Sequence, residues 1–256
     1  MLKIGFVEDL LGMDPVFAND RVIYVNSCDL QVGDGAWRYA ALNATNIERH
    51  WRRAFSRNPG LFNGTIYLMD SYQVSGRRFK ATFLRTDFKS YLHWRFEGFP
   101  QAGVVDAFGS GILRSKEGHV ILGRQALGHV NGGLCYMPGG FIDERDVGYD
   151  GRVDIDNSIE REVLEETGLD VLKKKRNPGY LLTFHGVQIS IGVMYHCSHS
   201  GSDLEELISR HIAGEENPEL AGVSIVSSCP KPEVEGIAAF AVPLLAHVFS
   251  SDQKKS

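Results

Sequence analysis

The strongest constraint on the fold is the stretch Arg161–Leu169, which reads REVLEETGL. In a helix of about 3.6 residues per turn, Glu162 and Glu166 are four positions apart and Glu165 lies between them, so three carboxylates share one side. Gly168 is typical of a helix C-terminal cap and places these acids in the last turn, where the helix dipole disfavours negative charge. A helix with this charge distribution needs a neutralising partner.

A divalent metal ion is the natural partner for these acids. Mg²⁺ and Mn²⁺ bind carboxylate oxygens and keep coordination positions for water and for the phosphates of a substrate. The pattern therefore predicts a Mg²⁺ or Mn²⁺ site with Glu162, Glu165 and Glu166 as ligands.

The stretch resembles the second half of the Nudix box, usually written G-x5-E-x7-R-E-U-x-E-E-x-G-U with U an aliphatic residue, and matches that half without a substitution. A Gly-Gly turn, Gly139-Gly140, lies upstream as in the family. The resemblance implies an α/β/α sandwich in which the box runs from a strand through a loop to a helix. It also implies metal-dependent hydrolysis of a diphosphate linked to another moiety.

The resemblance assigns roles to individual residues. Glu162, Glu165 and Glu166 fall on the family's metal-binding positions, and Glu162 is a ligand or a base, so that Glu162 and Glu165 are candidate catalytic residues. Arg161 is a further catalytic candidate, although its more common role in the family is to hold the loop against the helix through a carboxylate. Gly140 lets the backbone turn at a strand end and is a candidate substrate-binding residue.

The first half of the box departs from the pattern. From Gly140 to Arg161 is 21 positions, where the pattern expects 14, so seven residues are inserted. Counting G-x5 from Gly140 reaches Asp146, where the family has Glu. The acid that replaces this glutamate is left open among four residues: Asp143, Glu144, Asp146 and Asp154.

The insert falls within Arg145–Asp156, whose two glycines and four aspartates predict a loop before a helix cap at Asp156 or Asn157. The loop could cradle a second cation or a sugar. For most of its aspartates we favour simple solvation.

Family members often take their catalytic base from outside the box. The candidates are Glu205 and Glu206 on an acidic helix, and Glu215, Glu216 and Glu219 in the loop that precedes the next strand. The loop is better placed, since a loop beside a strand end can point at the site, and Glu216 represents it among the catalytic candidates. Sequence alone does not separate the three loop glutamates. Arg124, at the end of a strand, is a candidate phosphate contact or a plain surface arginine.

A second resemblance lies nearer the N-terminus, in Trp51 and in the segment Asn58–Tyr67, which reads NPGLFNGTIY. It is similar to the N-terminal signature of a Nudix subgroup that includes the UDP-glucose pyrophosphatase of animals and plant relatives. The similarity implies a nucleotide-sugar substrate and makes Asn63 a candidate substrate-binding residue. The alternative is a shared structural turn in which Asn63 and Gly64 supply positive φ angles.

The predicted fold class is α/β, a Nudix-type sandwich (residues 99–256) with an N-terminal α+β extension (residues 1–98) that binds substrate or dimerises. In the extension we predict a strand at Arg21–Val25, a turn at Val32–Gly35 and a helix from Asn46 to Arg57 opened by a Thr45 capping box. A hairpin, Thr65–Val74 with Arg77–Leu84, precedes an aromatic helical face formed by Phe88, Tyr91 and Trp94.

Beyond Gly98–Pro100 the patterns predict six strands, an acidic helix and a terminal helix. The strands are Val104–Arg114, His119–Gln125, Leu134–Met137, Tyr180–Gln188, Ile189–His196 and Gly222–Val226. The helices are Ser202–Ile212 and Gly236–Phe249.

Composition limits the partners. A formal net charge of -5 gives no basic footprint for nucleic acid. No apolar run is long enough for a bilayer span, and the acids near Met1–Asp9 come too early for a signal peptide, so a cytoplasmic location is expected. The four cysteines form no C-x-x-C pair and are expected to be small buried hydrophobes.

The expected partner is therefore a small-molecule nucleoside diphosphate, best represented by a nucleotide sugar. The alternatives are a nucleoside triphosphate or ADP-ribose pyrophosphatase, and a non-catalytic nucleotide-sensing module. A homodimer is plausible because many relatives pair through the N-terminal region.

Overall fold

The structure is a computed structural model that describes residues 18–229 and 236–253. The segment Met1–Asp9 lies outside these residues. The strands are β1 Ala18–Val25, β2 Ser27–Ala36, β3 Thr65–Ser75, β4 Arg78–Asp87, β5 Asp106–Arg114, β6 Val120–Gln125, β7 Cys135–Tyr136, β8 Lys175–Arg176, β9 Tyr180–Gly186, β10 Gln188–His196 and β11 Leu220–Val226. The helices are α1 Arg38–Leu42, α2 Ala44–Arg57, α3 Phe88–Phe96, α4 Ile155–Thr167, α5 Gly201–Gly214 and α6 Val242–Gln253.

Most of the strands form one mixed sheet in the order β1-β9-β10-β5-β6-β11, with β7 added to β6 and β8 to β10. Among its described strands, β5 and β10 are the parallel pair. Apolar residues of α4 and α5 share one buried cluster with the sheet, while those of α6 belong to a second cluster. Helices thus cover the two faces of the sheet, which confirms the predicted α/β/α sandwich.

The alternation of side chains along β5 explains how the two faces are filled. Ala107 and Leu113 belong to the cluster of α4, whereas Ile112 belongs to the cluster of α6. Because successive strand residues point to opposite faces, Gly109 and Gly111 also face α4. A Cβ on Gly109 would lie 2.6 Å from Cγ1 of Ile159, so these glycines let α4 approach the sheet closely.

Replacing Gly109 by Ala is expected to destabilise the protein by about 1–3 kcal/mol, because the added methyl group must push α4 away from β5. Chemical denaturation measures this change. Gly35→Ala is the control, since nothing lies within 4 Å of a Cβ at that exposed strand position. Equal stability of the two variants would show that the close approach of α4 is not a constraint.

The smaller sheet has the order β2-β4-β3 and lies in the N-terminal part of the chain. The predicted hairpin is confirmed as β3 and β4, and the predicted aromatic helical face is confirmed as α3, whose first turn is capped by Asp87. Tyr91 and Trp94 are buried, so this face belongs to the core. The predicted turn at Val32–Gly35 is wrong, because these residues lie within β2, although the register with β4 shifts between Val32 and Ala36.

The N-terminal elements share contacts with the main sheet. Strand β1 pairs with β9 at the edge of that sheet. Met69 of β3 exchanges two backbone hydrogen bonds with Val105, of 3.1 and 2.8 Å, just before β5. The division into residues 1–98 and 99–256 stays a prediction, and the smaller sheet is packed directly against the elements that follow it.

The seven-residue insert forms a docked hairpin. Val147 and Val153 pair across it, and the N–H groups of Val32 and Val153 donate to Gly151 and Leu30 at 2.8 and 3.0 Å. The insert is therefore tied to β2 by backbone hydrogen bonds. It is not a freely solvated loop. Helix α4 begins at Ile155 with Asp154 as its N-cap, so the predicted caps at Asp156 and Asn157 are wrong by two or three residues.

The six predicted strands after Gly98–Pro100 are confirmed; four are shorter than predicted, whereas β10 and β11 begin one and two residues earlier than predicted. The acidic helix is confirmed as α5, whereas the terminal helix begins at Val242, later than predicted. Helix α2 follows Asn43, so the Thr45 capping box is wrong. Cys135 and Cys197 are buried as expected, but Cys229 is exposed. None of the helices in the described ranges combines the length and the apolar character of a membrane span.

Candidate active site

Helix α4 positions the acidic stretch by its two ends and its buried side. The Asp154 carboxylate accepts a hydrogen bond from the Asn157 N–H at the start, and Gly168 ends the helix with a left-handed φ of 69°. Ile159 and Val163 are fully buried against the sheet. This anchoring turns Glu162, Glu165 and Glu166 towards the loop that contains Gly139 and Gly140.

Glu166 is the most buried of the three glutamates, with 5% of its surface exposed. Its Oε2 accepts a hydrogen bond of 3.0 Å from the Gly139 N–H. Burial, together with the nearby charges of Glu162 and Glu219, raises the pKa of Glu166 well above its usual range. The environment therefore disfavours the charged carboxylate unless positive charge is supplied.

Glu162 lies against the backbone of the Gly-Gly turn. A Cβ on Gly140 would come within 2.6 Å of the Glu162 carboxyl carbon, so only glycine leaves room for this carboxylate. Burial raises the pKa of Glu162 to about 7, although the neighbouring Arg161 acts in the opposite direction. Arg161 donates a hydrogen bond of 2.5 Å to Oε1 of Glu162.

Arg161 ties the helix to the upstream loop. Its Nη2 donates to both carboxylate oxygens of Asp146, at 3.1 and 3.0 Å, and its Nη1 lies 3.2 Å from Glu165 Oε2. The Asp146 side chain has no exposed surface. This is the geometry of the loop-holding role that the resemblance implies for Arg161.

The four acids left open by the sequence have different surroundings. Asp146 pairs with Arg161, and Asp143 lies 3.7 Å from the same guanidinium while its carboxylate caps a short 3-10 turn. Glu144 is exposed, 3.8 Å from Arg85, and Asp154 caps α4. Asp143 and Asp146 are thus the two that join the glutamate cluster.

Arg145 was not assigned a role from the sequence, although it lies in the same loop. Its Nη2 is 2.6 Å from Asp143 Oδ2, its Nη1 is 3.2 Å from Glu165 Oε1, and it reaches Glu162 at 4.0 Å. The position of Arg145 between Gly140 and Asp146 was the signal that could have identified it as a site residue, because that loop must pass beside α4. The side chain bridges the loop and the exposed edge of the cluster.

Among the downstream glutamates, Glu219 is the one whose charge raises the pKa values of Glu162 and Glu166. Glu215 lies 3.3 Å from His211 at the end of α5. Glu216, the sequence candidate for the base, is exposed between them. Electrostatic proximity therefore favours Glu219 over Glu216.

The remaining candidates lie apart from the carboxylates. Both ends of the Asn63 amide are engaged near the start of α3: its Nδ2 donates to Asp87 at 3.3 Å, and its Oδ1 accepts from the Lys89 N–H at 2.8 Å. Arg124 is exposed on β6 and lines a cleft with Cys135 and Ser224. Neither residue contacts the glutamates of α4.

The donor chemistry of the cluster suits a divalent cation. Four carboxylates, from Asp143, Asp146, Glu162 and Glu165, pair with two guanidiniums, from Arg145 and Arg161, and the buried Glu166 adds a fifth, which leaves an excess of negative charge. Excess carboxylate oxygens on a partly buried helix are ligands of the kind that Mg²⁺ and Mn²⁺ prefer. Within the described residues, no group of three acidic, histidine or cysteine side chains is already arranged to hold a metal ion.

Comparison with known proteins agrees with this site. Residues 106–229 match the model of the NUDIX domain family, a range that runs from the first residue of β5 to just beyond β11 and includes all of α4. This part of the chain is therefore similar to the NUDIX domain. No curated protein matches the chain by sequence.

Three of the solved structures that are similar to this chain are described as follows. The MutT protein from Methanosarcina mazei Go1 is 19% identical, covers 58% of this chain and 94% of its own, and gives a TM-score of 0.39. RenU, a Nudix hydrolase from M. smegmatis, is 14% identical, with 59% and 86% covered and a TM-score of 0.36. A bifunctional NMN adenylyltransferase/ADP ribose pyrophosphatase from Francisella tularensis, complexed with AMP and Mn ion, is 16% identical, with 59% and 40% covered and a TM-score of 0.32.

Proposed function

We propose that this protein is a Mg²⁺- or Mn²⁺-dependent hydrolase that splits the diphosphate bond of a nucleoside diphosphate linked to another moiety. The observation that carries the proposal is the carboxylate cluster of α4 and its loop, in which Glu162, Glu165 and Glu166 outnumber the arginines that neutralise them. A NUDIX domain supports the same class, since NUDIX hydrolases are pyrophosphatase-type enzymes that generally use divalent metals.

Glu162, Glu165 and Glu166 would hold the metal. When bound, a divalent cation spreads the charge of the phosphoryl oxygens and lowers the pKa of a bound water. The chain supplies the positioning: the Gly139 N–H fixes the Glu166 carboxylate, and the pair of Arg161 with Asp146 fixes the loop to the helix. Glu219 is our candidate for the residue that accepts a proton from the attacking water, since it is the downstream glutamate whose charge acts on Glu162 and Glu166.

Arg145 is expected to compete with the metal for ligands. Its guanidinium holds Asp143 and Glu165, and it must release Glu165 before that carboxylate can bind a cation. Arg145→Ala should therefore tighten Mn²⁺ binding by about tenfold, which corresponds to roughly 1.4 kcal/mol. Titration followed by electron paramagnetic resonance measures this.

Arg152→Ala is the matched control for Arg145→Ala. It removes a guanidinium from the same loop region that pairs with Asp150, at 3.4 Å, and not with the glutamates of α4. Equal Mn²⁺ affinity of both variants would contradict the competition, and weaker binding to Arg145→Ala would mean that this arginine supports the site.

A nucleotide sugar such as UDP-glucose is our substrate proposal. It is supported by the N-terminal segment that is similar to the UDP-glucose pyrophosphatase subgroup. It is also supported by the position of that segment beside the loop that precedes α4. Strand β3, which begins within this segment, pairs with the box loop: Ile66 forms a bridge with Asp143, and the Tyr67 N–H donates to Ile142 at 3.0 Å. The N-terminal elements therefore border the carboxylate cluster, where they can contact the part of a substrate beyond the diphosphate.

The test is a hydrolysis panel with Mg²⁺ or Mn²⁺ containing UDP- and GDP-sugars, ADP-ribose, nucleoside triphosphates and dinucleoside polyphosphates. The highest kcat/KM is expected for a UDP-sugar. A preference for ADP-ribose or a triphosphate would keep the hydrolase class and replace the substrate. Thermal stabilisation by each ligand in the presence of metal gives a second ranking, because a bound ligand stabilises the folded state by mass action.

A non-catalytic nucleotide-sensing module is the second candidate. It is favoured by the altered first half of the box and by the arginines that already neutralise Glu162 and Glu165. Mn²⁺ titration separates the two functions: binding that is lost in Glu165→Gln supports the hydrolase. Absence of binding at the box, together with no turnover across the panel, would favour the sensing module.

A further inference from the structure

A basic cleft lies between α2 and α3, in the N-terminal part of the chain. Its volume is about 430 Å³. The residues that line it include Arg49, His50, Arg53, Arg57, Phe96 and Glu97. None of them belongs to the carboxylate cluster of α4 and its loop, so the cleft is separate from the proposed active site.

Positive charge is concentrated along one side of α2. Arg49, Arg53 and Arg57 recur every four residues and therefore line the same side of the helix. Within the described part of the chain, the side chains of Arg53 and Arg57 form no ion pair, and Arg49 donates to the neutral Asn46 at 2.7 Å. In a chain of net charge -5, guanidiniums without carboxylate partners point to an anionic ligand.

The floor of the cleft carries two histidines. The buried Nδ1 of His50 has no hydrogen-bond partner among the described residues. Burial lowers the pKa of His50, and the charges of His93, Arg53 and Arg57 act in the same direction, whereas the charge of Glu97 opposes them. His93 is held by the Tyr39 hydroxyl at 2.9 Å and lies 3.9 Å from Glu97, the acidic residue of the lining.

An aromatic surface borders the same space. Phe96 stacks on His50 with ring centroids 4.5 Å apart and an angle of 28°, yet 69% of Phe96 remains exposed. An exposed ring beside unpaired guanidiniums can pack against the apolar or aromatic body of a ligand whose charged end meets the arginines.

We propose that this cleft binds a phosphate-bearing small molecule of nucleotide size. Arg53 and Arg57 donate to the phosphate oxygens, and Phe96 packs against the rest of the ligand. The volume falls in the range of small-molecule sites, about 300–1,000 Å³. A nucleic acid would need an extended basic surface, which the net charge of -5 does not supply.

The test uses the full chain in EDTA with uridine 5′-monophosphate and inorganic phosphate as probes. Calorimetry is expected to show tighter binding of the nucleotide than of phosphate. The NMR signals of the His50 and His93 side chains should shift on binding, which reports this cleft and not the carboxylate cluster. Absence of these shifts would overturn the proposal, and equal binding of both probes would overturn its nucleotide-size part.

Arg53→Gln combined with Arg57→Gln should weaken nucleotide binding by about tenfold or more, since charge-assisted hydrogen bonds to phosphate are lost. The matched control is Arg52→Gln with Arg78→Gln, which removes two exposed guanidiniums outside the cleft and should leave binding unchanged. Equal weakening by both pairs would reduce the effect to net charge and contradict the site.

Phe96→Ala keeps the arginines and provides a second variant should the double substitution fail to fold. It is expected to weaken binding of the nucleotide but not of phosphate. Binding of a short oligonucleotide without binding of the mononucleotide would overturn the small-molecule proposal in favour of a polymer. The outcome is independent of whether the protein hydrolyses any diphosphate, because the assay contains no free metal.

Discussion

Glu166→Gln is expected to lower kcat/KM for the diphosphate substrate by at least about 10³-fold, which corresponds to roughly 4 kcal/mol of transition-state stabilisation. The reason is the loss of a charged metal ligand at a position that is fixed by the Gly139 N–H. The same substitution should raise the stability of the metal-free protein. A glutamine keeps the hydrogen bond to Gly139 and removes a carboxylate whose charged form burial disfavours.

The gain in stability should be about 1 kcal/mol or more, because a buried charge without a paired partner is costly. It is measured by urea denaturation in EDTA near neutral pH, beside kinetics with Mg²⁺. Glu206→Gln is the control, since that carboxylate is exposed on α5 and pairs with Arg210. It should change neither quantity measurably. Full activity of Glu166→Gln would remove Glu166 from the site, and reduced stability would show that its charge is already compensated.

The box helix could be predicted from the sequence because its signals are local. The spacing of Glu162, Glu165 and Glu166 places them on one side at helical periodicity, and Gly168 marks the end of the helix, as the structure shows. The sandwich was implied by the resemblance to the Nudix box, and the predicted order of strands and helices agreed with it. Such signals depend on neighbours within one or two turns, which a sequence displays directly.

The features that the sequence did not specify depend on contacts between distant residues. The Val32–Gly35 segment has turn composition, yet it lies within β2, whose pairing with β4 resumes at Ala36 after a register shift. The insert has loop composition, yet Val153 and Gly151 bond to β2. Backbone pairing of this kind is independent of side-chain type, so composition does not reveal it.

The sequence also did not show which charged residues pair with one another at the site. The sequence left Asp143, Glu144, Asp146 and Asp154 equivalent, because any acid in the loop could reach the helix. The structure separates them through burial and through two arginines, one of which, Arg145, follows Asp143 by two residues and bridges to Glu165. For Glu219, proximity to the box acids arises from the path of β11 beside β6 and not from any local pattern.

Arg161→Met is expected to destabilise the protein by about 3–5 kcal/mol, the typical cost of removing one partner of a buried ion pair. The Asp146 side chain has no exposed surface, and Arg161, 14% exposed, is its charged partner at 3.0 Å. Burial already raises the pKa of Asp146, so without the guanidinium a charged carboxylate at this position costs free energy.

Two further variants distinguish the effect of breaking the buried Arg161–Asp146 pair from the effect of removing any arginine. Arg210→Met breaks a pair whose partners are 66% and 67% exposed and should change stability little. Adding Asp146→Asn to Arg161→Met should restore much of the loss, because the amide oxygen can still accept from the Asp143 N–H, now 3.0 Å from the carboxylate, without a buried charge. Urea denaturation in EDTA measures all three. If Arg161→Met lowers the free energy of unfolding no more than Arg210→Met does, the loop is held by its backbone hydrogen bonds. If adding Asp146→Asn restores none of the lost stability, Arg161 acts mainly through Glu162 and Glu165.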